Sequence, residues 1–187
     1  MSGRRPWPSL PAIHTIAFDF DGVFTDNAVW VGHDGAELVR CDRRDGLGVD
    51  LLRAALARGM LQAEVFILSK ERHPVVEARA HKLRLSCHSG CDDKFEFVRD
   101  HLARRRGDAA DPFAGLVYLG NDLNDLSLME RAGFSVAPED AHPRVRAVAA
   151  VVLPHRGGDG FVRAFVEQLL DVQNMTSGEL NELVHHR

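Results

Sequence analysis

The stretch "IAFDFDGVFTDN", Ile16 to Asn27, decides how this chain is read. An apolar run ends in two aspartates, Asp19 and Asp21, followed at once by Gly22. Like charges this close resist burial, so the chain anticipates something positive at that point. Residues two apart on extended backbone point the same way. Asp19 and Asp21 are therefore expected to face one crevice, with Phe20 turned into the core.

The pattern outward from this stretch is regular. Ala12 to Phe18 reads as a buried strand, and Val29 to Cys41 as a hairpin turning at Asp34-Gly35. "LGVDLLRAALARG" carries the apolar stripe of an amphipathic helix that stops near Gly59. Ala63 to Ser69 is a second buried strand, and Pro74 opens a helix to about Leu83. Asp92 or Asp93 caps a further helix bearing Phe95, Val98 and Leu102 on one face. Gly115 to Gly120 reads as a third strand and Leu123 to Ala132 as a helix. "FSV" and "AVVL" read as short strands, and Asp159 starts a last helix through Asp171.

Strands alternating with helices of about ten to fifteen residues predict an α/β fold, with a mostly parallel sheet and helices on both faces. Ligands of such sheets sit beyond the carboxyl ends of the strands, where strand order reverses. Here those ends carry Asp19 and Asp21, then Ser69, then Asn121 and Asp122.

Composition bounds the function. The 187 residues suit one domain; net charge is −4, which does not suit a nucleic-acid partner. The cluster Arg104-Arg105-Arg106 reads as a solvated helix end. No apolar run approaches the roughly 20 residues that span a bilayer, and no signal peptide precedes the prolines near the start. Three cysteines without CxxC spacing fit a reducing cytoplasm. Cys87, His88 and Cys91, with His81 upstream, match no closed tetrahedral zinc set.

The strand-end residues suit phosphoryl chemistry. Asp19 and Asp21 can hold a hard divalent cation such as Mg²⁺ through oxygen. Asp19 can also attack phosphorus, while Asp21 protonates the leaving alcohol and later activates water. Ser69 offers a short hydroxyl, and Lys94 a cation near a helix start where N–H groups favour anions. Gly22 would let backbone amides approach the phosphate. "GNDLND", Gly120 to Asp125, adds Asn121, Asp122 and Asp125 as further metal oxygens.

In this order, "DFDGVFTDN", "ILS", "DDK" and "GNDLND" resemble the four motifs of the haloacid dehalogenase-like phosphatases. "DGLGVDLL", "HPVVEARAHKL" and "RGGDGFVR" further resemble its capless subfamily. That subfamily acts on 3-deoxy-octulosonate 8-phosphate and on nonulosonate (sialic-acid and KDN type) 9-phosphates. The resemblance implies one Rossmann-like domain over residues 13–172, a leader at 1–12 and a tail at 173–187. It also implies a hairpin flap after the first strand, a cytoplasmic homotetramer closed through that hairpin with Trp30 as an anchor, and a phosphorylated sugar acid as substrate. "SKE" after the second strand, where octulosonate phosphatases usually read Thr-Gly-Arg, is closer to the nine-carbon branch. There Glu71 and Lys82 would recognise the sugar, with Arg43 and Asp45 at the rim and Arg163 either beside them or bracing the last helix. The expectation is a magnesium-dependent nonulosonate 9-phosphate phosphatase. The alternatives are the octulosonate enzyme and a non-catalytic module that oligomerises or binds a cytidylyltransferase. Asn121 and Lys70 depart from the residues common in relatives.

Overall fold

The computed structural model describes residues 6–107 and 109–185. β1 (Thr15–Phe18) pairs in parallel with β4 (Glu64–Leu68) on one side and with β6 (Leu116–Leu119) on the other. β5 (Ser86–His88) extends the sheet beyond β4; β7 (Phe134–Pro138) and β8 (Val151–Leu153) extend it beyond β6. The order β5-β4-β1-β6-β7-β8 is parallel throughout and reverses at β1. The carboxyl end of β1 is therefore the crevice where such sheets bind ligands.

Alternation along the strands builds two cores. Ile16 and Phe18 face a layer containing Leu52 of α1 (Arg43–Ala57), Val76 of α2 (Pro74–Leu83) and Phe165 of α6 (Phe161–Leu169). Ala17, Phe66 and Tyr118 face the other layer. It contains Val98 of α3 (Lys94–Arg106), Leu128 of α4 (Leu126–Arg131) and Val145 of α5 (Pro143–Val148). Both sheet faces are covered, which is why these strands read as continuous apolar runs. β2 (Thr25–Val31) and β3 (Glu37–Cys41) form a separate antiparallel hairpin after β1.

Local details differ from the sequence reading. Asp19 and Asp21 lie past the end of β1, in a turn whose amides at Val23, Phe24 and Thr25 all point to the Phe20 carbonyl. It is this turn, not strand alternation, that brings the two aspartates to one cavity. β5 and α5 are short elements with weak periodicity. The helix read from Leu123 splits into a 3-10 turn, Leu123–Asp125, and α4. α6 starts at Phe161, because Gly160 before it is left-handed (φ +82°). The polar end of the chain folds as α7 (Ser177–Val184), capped by Thr176, with Leu183 only 4% exposed against the core. At the other end Trp7 stacks near Phe134 and Phe165, with ring centroids 5.1 and 6.0 Å away.

Candidate active site

Three strand ends deliver the site. Asp19 follows β1, Ser69 follows β4 and Asn121 follows β6; together with Asp21, Asn27 and Glu71 they line a cavity of about 360 Å³. Lys94, the first residue of α3, lies beneath it. Asp93 caps that helix by accepting the Glu96 N–H at 2.9 Å.

Lys94 is buried between two carboxylates. Its Nζ lies 2.6 Å from Asp19 Oδ1 and 2.7 Å from Asp125 Oδ1. Burial alone would lower the Lys94 pKa, yet the two negative neighbours more than offset it and hold the amine protonated. Asp19 is pushed well up by burial and by the Asp125 charge, with Lys94 opposing. The Phe20 N–H also donates to Asp19 Oδ1, at 2.7 Å, so Oδ1 is held from two directions. Asp21 is raised chiefly by burial, with Glu71 and Glu37 adding to the rise against a hydrogen bond from the Thr25 hydroxyl (3.3 Å). A shift in this direction favours the protonated form, the form a general acid needs.

Ser69 Oγ is buried and accepts the Glu71 N–H at 3.0 Å, which leaves its own proton to be given to a ligand. Lys70 borders the same cavity as an exposed cation.

The oxygens around Asn121 bear on the metal. Its amide faces Asp19 Oδ2 at 3.2 Å and the Asp21 carbonyl at 2.7 Å. With nitrogen turned inward, the amide donates to both; with oxygen turned inward, three oxygens converge on one point. Such a hard oxygen set fits a divalent cation of the magnesium kind. Among the described residues no three His, Cys, Asp or Glu side chains gather as a metal site, so the set depends on an amide and a backbone carbonyl.

Several sequence candidates have other tasks. Asp125 is fully engaged: Oδ1 accepts from Lys94 and the Tyr118 hydroxyl (2.6 Å), and Oδ2 from the Asn121 (2.8 Å) and Asp122 (3.2 Å) amides. It orients Lys94 and the Asn121 loop, and its lone pairs are taken by those donors, not left for a metal ion. Asp122 borders the cavity while accepting the Leu123 N–H at 2.7 Å. Gly22 is required for a different reason than amide access. Its φ is +76°, its N–H is engaged by Thr25 Oγ1 at 3.2 Å, and a β-carbon would fall 1.9 Å from the Asn121 side chain. Asp45 is fully buried and accepts the Arg163 N–H of α6 at 3.0 Å, so it caps that helix and does not line the cavity. Arg163 itself pairs with Glu167 along α6, the bracing role. Arg43 is exposed at the start of α1. Lys82 lines a separate depression with Leu47, Arg53 and Leu183, so the structure does not bring it to Glu71.

Sequence reasoning missed the supports. The Gly157–Gly158 loop packs on the Gly22–Thr25 turn: the Gly158 N–H donates to the Val23 carbonyl at 3.1 Å, and a β-carbon on Gly157 would lie 2.0 Å from the Gly22 oxygen. "RGGDG" was the available signal.

Fold, crevice and charge suit a hydrolase, and the comparisons with known proteins place the chain in a hydrolase family. Residues 113–165 match the family described as haloacid dehalogenase-like hydrolase. The 3-deoxy-D-manno-octulosonate 8-phosphate phosphatase of Escherichia coli K12 is 33% identical over 171 residues, 91% of this chain and 84% of the relative. The chain belongs to the haloacid dehalogenase-like hydrolases and is a phosphomonoester hydrolase of that family. Among solved structures, the Moraxella catarrhalis 3-deoxy-D-manno-octulosonate 8-phosphate phosphatase, in complex with magnesium, phosphate and KDO, superposes with a TM-score of 0.78. It is 26% identical, covering 92% of this chain and 94% of that one. The cobalt-bound deoxy-D-mannose-octulosonate 8-phosphate phosphatase of Haemophilus influenzae gives a TM-score of 0.76 at 27% identity, over 92% of this chain and 99% of that one.

Proposed function

We propose that this chain is a magnesium-dependent phosphatase of 3-deoxy-D-manno-octulosonate 8-phosphate, acting through an aspartyl-phosphate. The observation that carries it is the Asp19–Lys94–Asp125 arrangement under a cavity also lined by Asp21 and Ser69. Relatives that cover nine-tenths of the chain bear that substrate in their names. The nine-carbon reading rested on Glu71 acting with Lys82. Glu71 lines the cavity, which keeps the nonulosonate 9-phosphate as a second reading; Lys82 does not, and that weakens it.

In the proposed cycle Asp19 attacks phosphorus while Asp21, raised by its surroundings, gives its proton to the departing sugar oxygen. Asp21 then takes a proton from water, which attacks the same phosphorus and returns Asp19 as a carboxylate. Lys94 keeps positive charge against Asp19 throughout, and the Ser69 hydroxyl donates to a phosphoryl oxygen. A magnesium ion held by Asp19, the Asp21 carbonyl and Asn121 would neutralise phosphoryl charge. Asn121 supplies that ion with an uncharged oxygen.

The hairpin supports a homotetramer. Val29, Trp30, Val31 and Leu38 are all at least half exposed, an apolar patch that a neighbouring copy would cover.

The test is phosphate release from octulosonate 8-phosphate and a nonulosonate 9-phosphate side by side, with and without chelator. Faster release from the eight-carbon ester, lost on chelation and restored by magnesium, is the expected result. Preference for the nine-carbon ester would overturn the substrate and keep the chemistry.

A further inference from the structure

Three non-glycine residues among those described are left-handed: Arg84 and Asp171 close α2 and α6, whereas Asn27 lies within a strand. Its backbone is left-handed, φ +62°, in the middle of what is otherwise strand β2. The β2–β3 pairing loses its register between Thr25 and Val29, the interval that contains it. Such irregularities beside binding sites re-aim a side chain. Here the re-aimed residue lines the 360 Å³ cavity of Asp19 and Ser69. It also lines an adjoining one of about 250 Å³ between the hairpin and the start of α2. Asp21 and Glu71 are the other two residues common to both. The Asn27 N–H is satisfied by Thr25 Oγ1 at 3.2 Å, and its side-chain amide forms no hydrogen bond among the described residues.

Glycine would adopt this backbone with no β-carbon cost, so the turn alone does not call for asparagine. The second cavity is walled by Glu37, Glu71 and Val39, which give it acceptors and apolar surface; Asn27 adds a neutral donor at its mouth. We infer that Asn27 is a specificity-determining residue: its amide hydrogen-bonds a hydroxyl of the substrate chain where it passes from the phosphate cavity into the adjoining one. This rests on the reading of the substrate as a phosphorylated sugar acid.

The experiment compares wild type, Asn27→Gly and Asn27→Asp on octulosonate 8-phosphate, nonulosonate 9-phosphate and p-nitrophenyl phosphate. The last carries no hydroxylated chain. Asn27→Gly keeps the backbone and should not lower Tm. Its kcat/KM for the preferred sugar-acid ester should fall about fivefold relative to that for p-nitrophenyl phosphate, the worth of one neutral hydrogen bond, mainly through KM. Asn27→Asp loses the donor and adds charge beside Asp21 and Glu71, so the ratio should fall at least as far. An unchanged ratio in Asn27→Gly, or an equal loss on all esters, overturns the inference and leaves the substrate reading standing. A wild-type enzyme that hydrolyses neither sugar-acid ester better than p-nitrophenyl phosphate overturns both.

Discussion

Two buried aspartates in this protein face opposite circumstances. Asp19, 4% exposed, has a lysine 2.6 Å away, and that lysine has a second carboxylate. Asp45, 0% exposed, has the N-terminus of α6: one oxygen accepts the Arg163 N–H and the other finds no partner among the described residues. Burial pushes Asp45 up to about 6, with the Arg163 amide opposing. The first arrangement sets a cation against a carboxyl group at a cavity wall; the second uses a carboxyl group as a fixed acceptor in the core. Burial of an acidic group therefore does not by itself mark a catalytic residue. What marks it is a paired cation together with access to a ligand.

The sharpest break is Asp19→Asn. It preserves shape and removes the nucleophile, so turnover should drop by about 10³-fold or more while circular dichroism keeps the native signal. A residual rate within tenfold of wild type would remove Asp19 from the centre of the chemistry. Asp125→Asn comes next. An amide turns its nitrogen towards groups that are themselves donors, leaving Lys94, Tyr118 or the loop amides unsatisfied. Denaturant unfolding should register a loss of about 3 kcal/mol, with activity falling as Lys94 drifts from Asp19.

Asp45→Asn should differ in sign. The folded-state pKa is raised, so the folded chain binds that proton more tightly than the unfolded chain. The stability this gives is complete below the unfolded value of 3.8 and lost as pH rises through about 6. The amide oxygen keeps the cap on α6 while the buried charge disappears. Relative to wild type, Tm of the variant should therefore climb between about pH 4 and pH 6 and level off above, by the equivalent of no more than about 3 kcal/mol. A difference independent of pH would mean that Asp45 stays charged in both states.

Glu71→Gln gives the smallest effect. Removing that charge lowers the Asp21 pKa, so the alkaline fall of kcat, where Asp21 loses the proton it donates, should begin at lower pH. An unmoved limb would assign the donated proton to another group.

The same contrast measures what the sequence disclosed. The parallel sheet and the residues at its three central strand ends were legible, because apolar runs and strand–helix alternation are local signals. That Asp19, Asp21, Ser69 and Lys94 come together at one place was legible through ordered motifs. Asp125 was read as a metal ligand, and the structure instead engages both its oxygens with four hydrogen-bond donors from three elements. Asp45 and Lys82 were read as substrate-binding and lie apart from the cavity for a related reason: proximity in sequence to a motif says nothing about which side of α1 or α2 a residue occupies. Asn27 stood in the decisive stretch unremarked, because a left-handed φ leaves no mark on a residue that is not glycine.

The close packing of Gly157 and Gly158 on the Gly22 turn has a bearing on biosynthesis. A ribosome makes the first motif well before the glycine loop, so the nascent chain carries its aspartate pair before the segment that braces it. A chain stalled before Gly157 would present the aspartate pair without its scaffold, and activity would wait for the glycine loop to be made and packed.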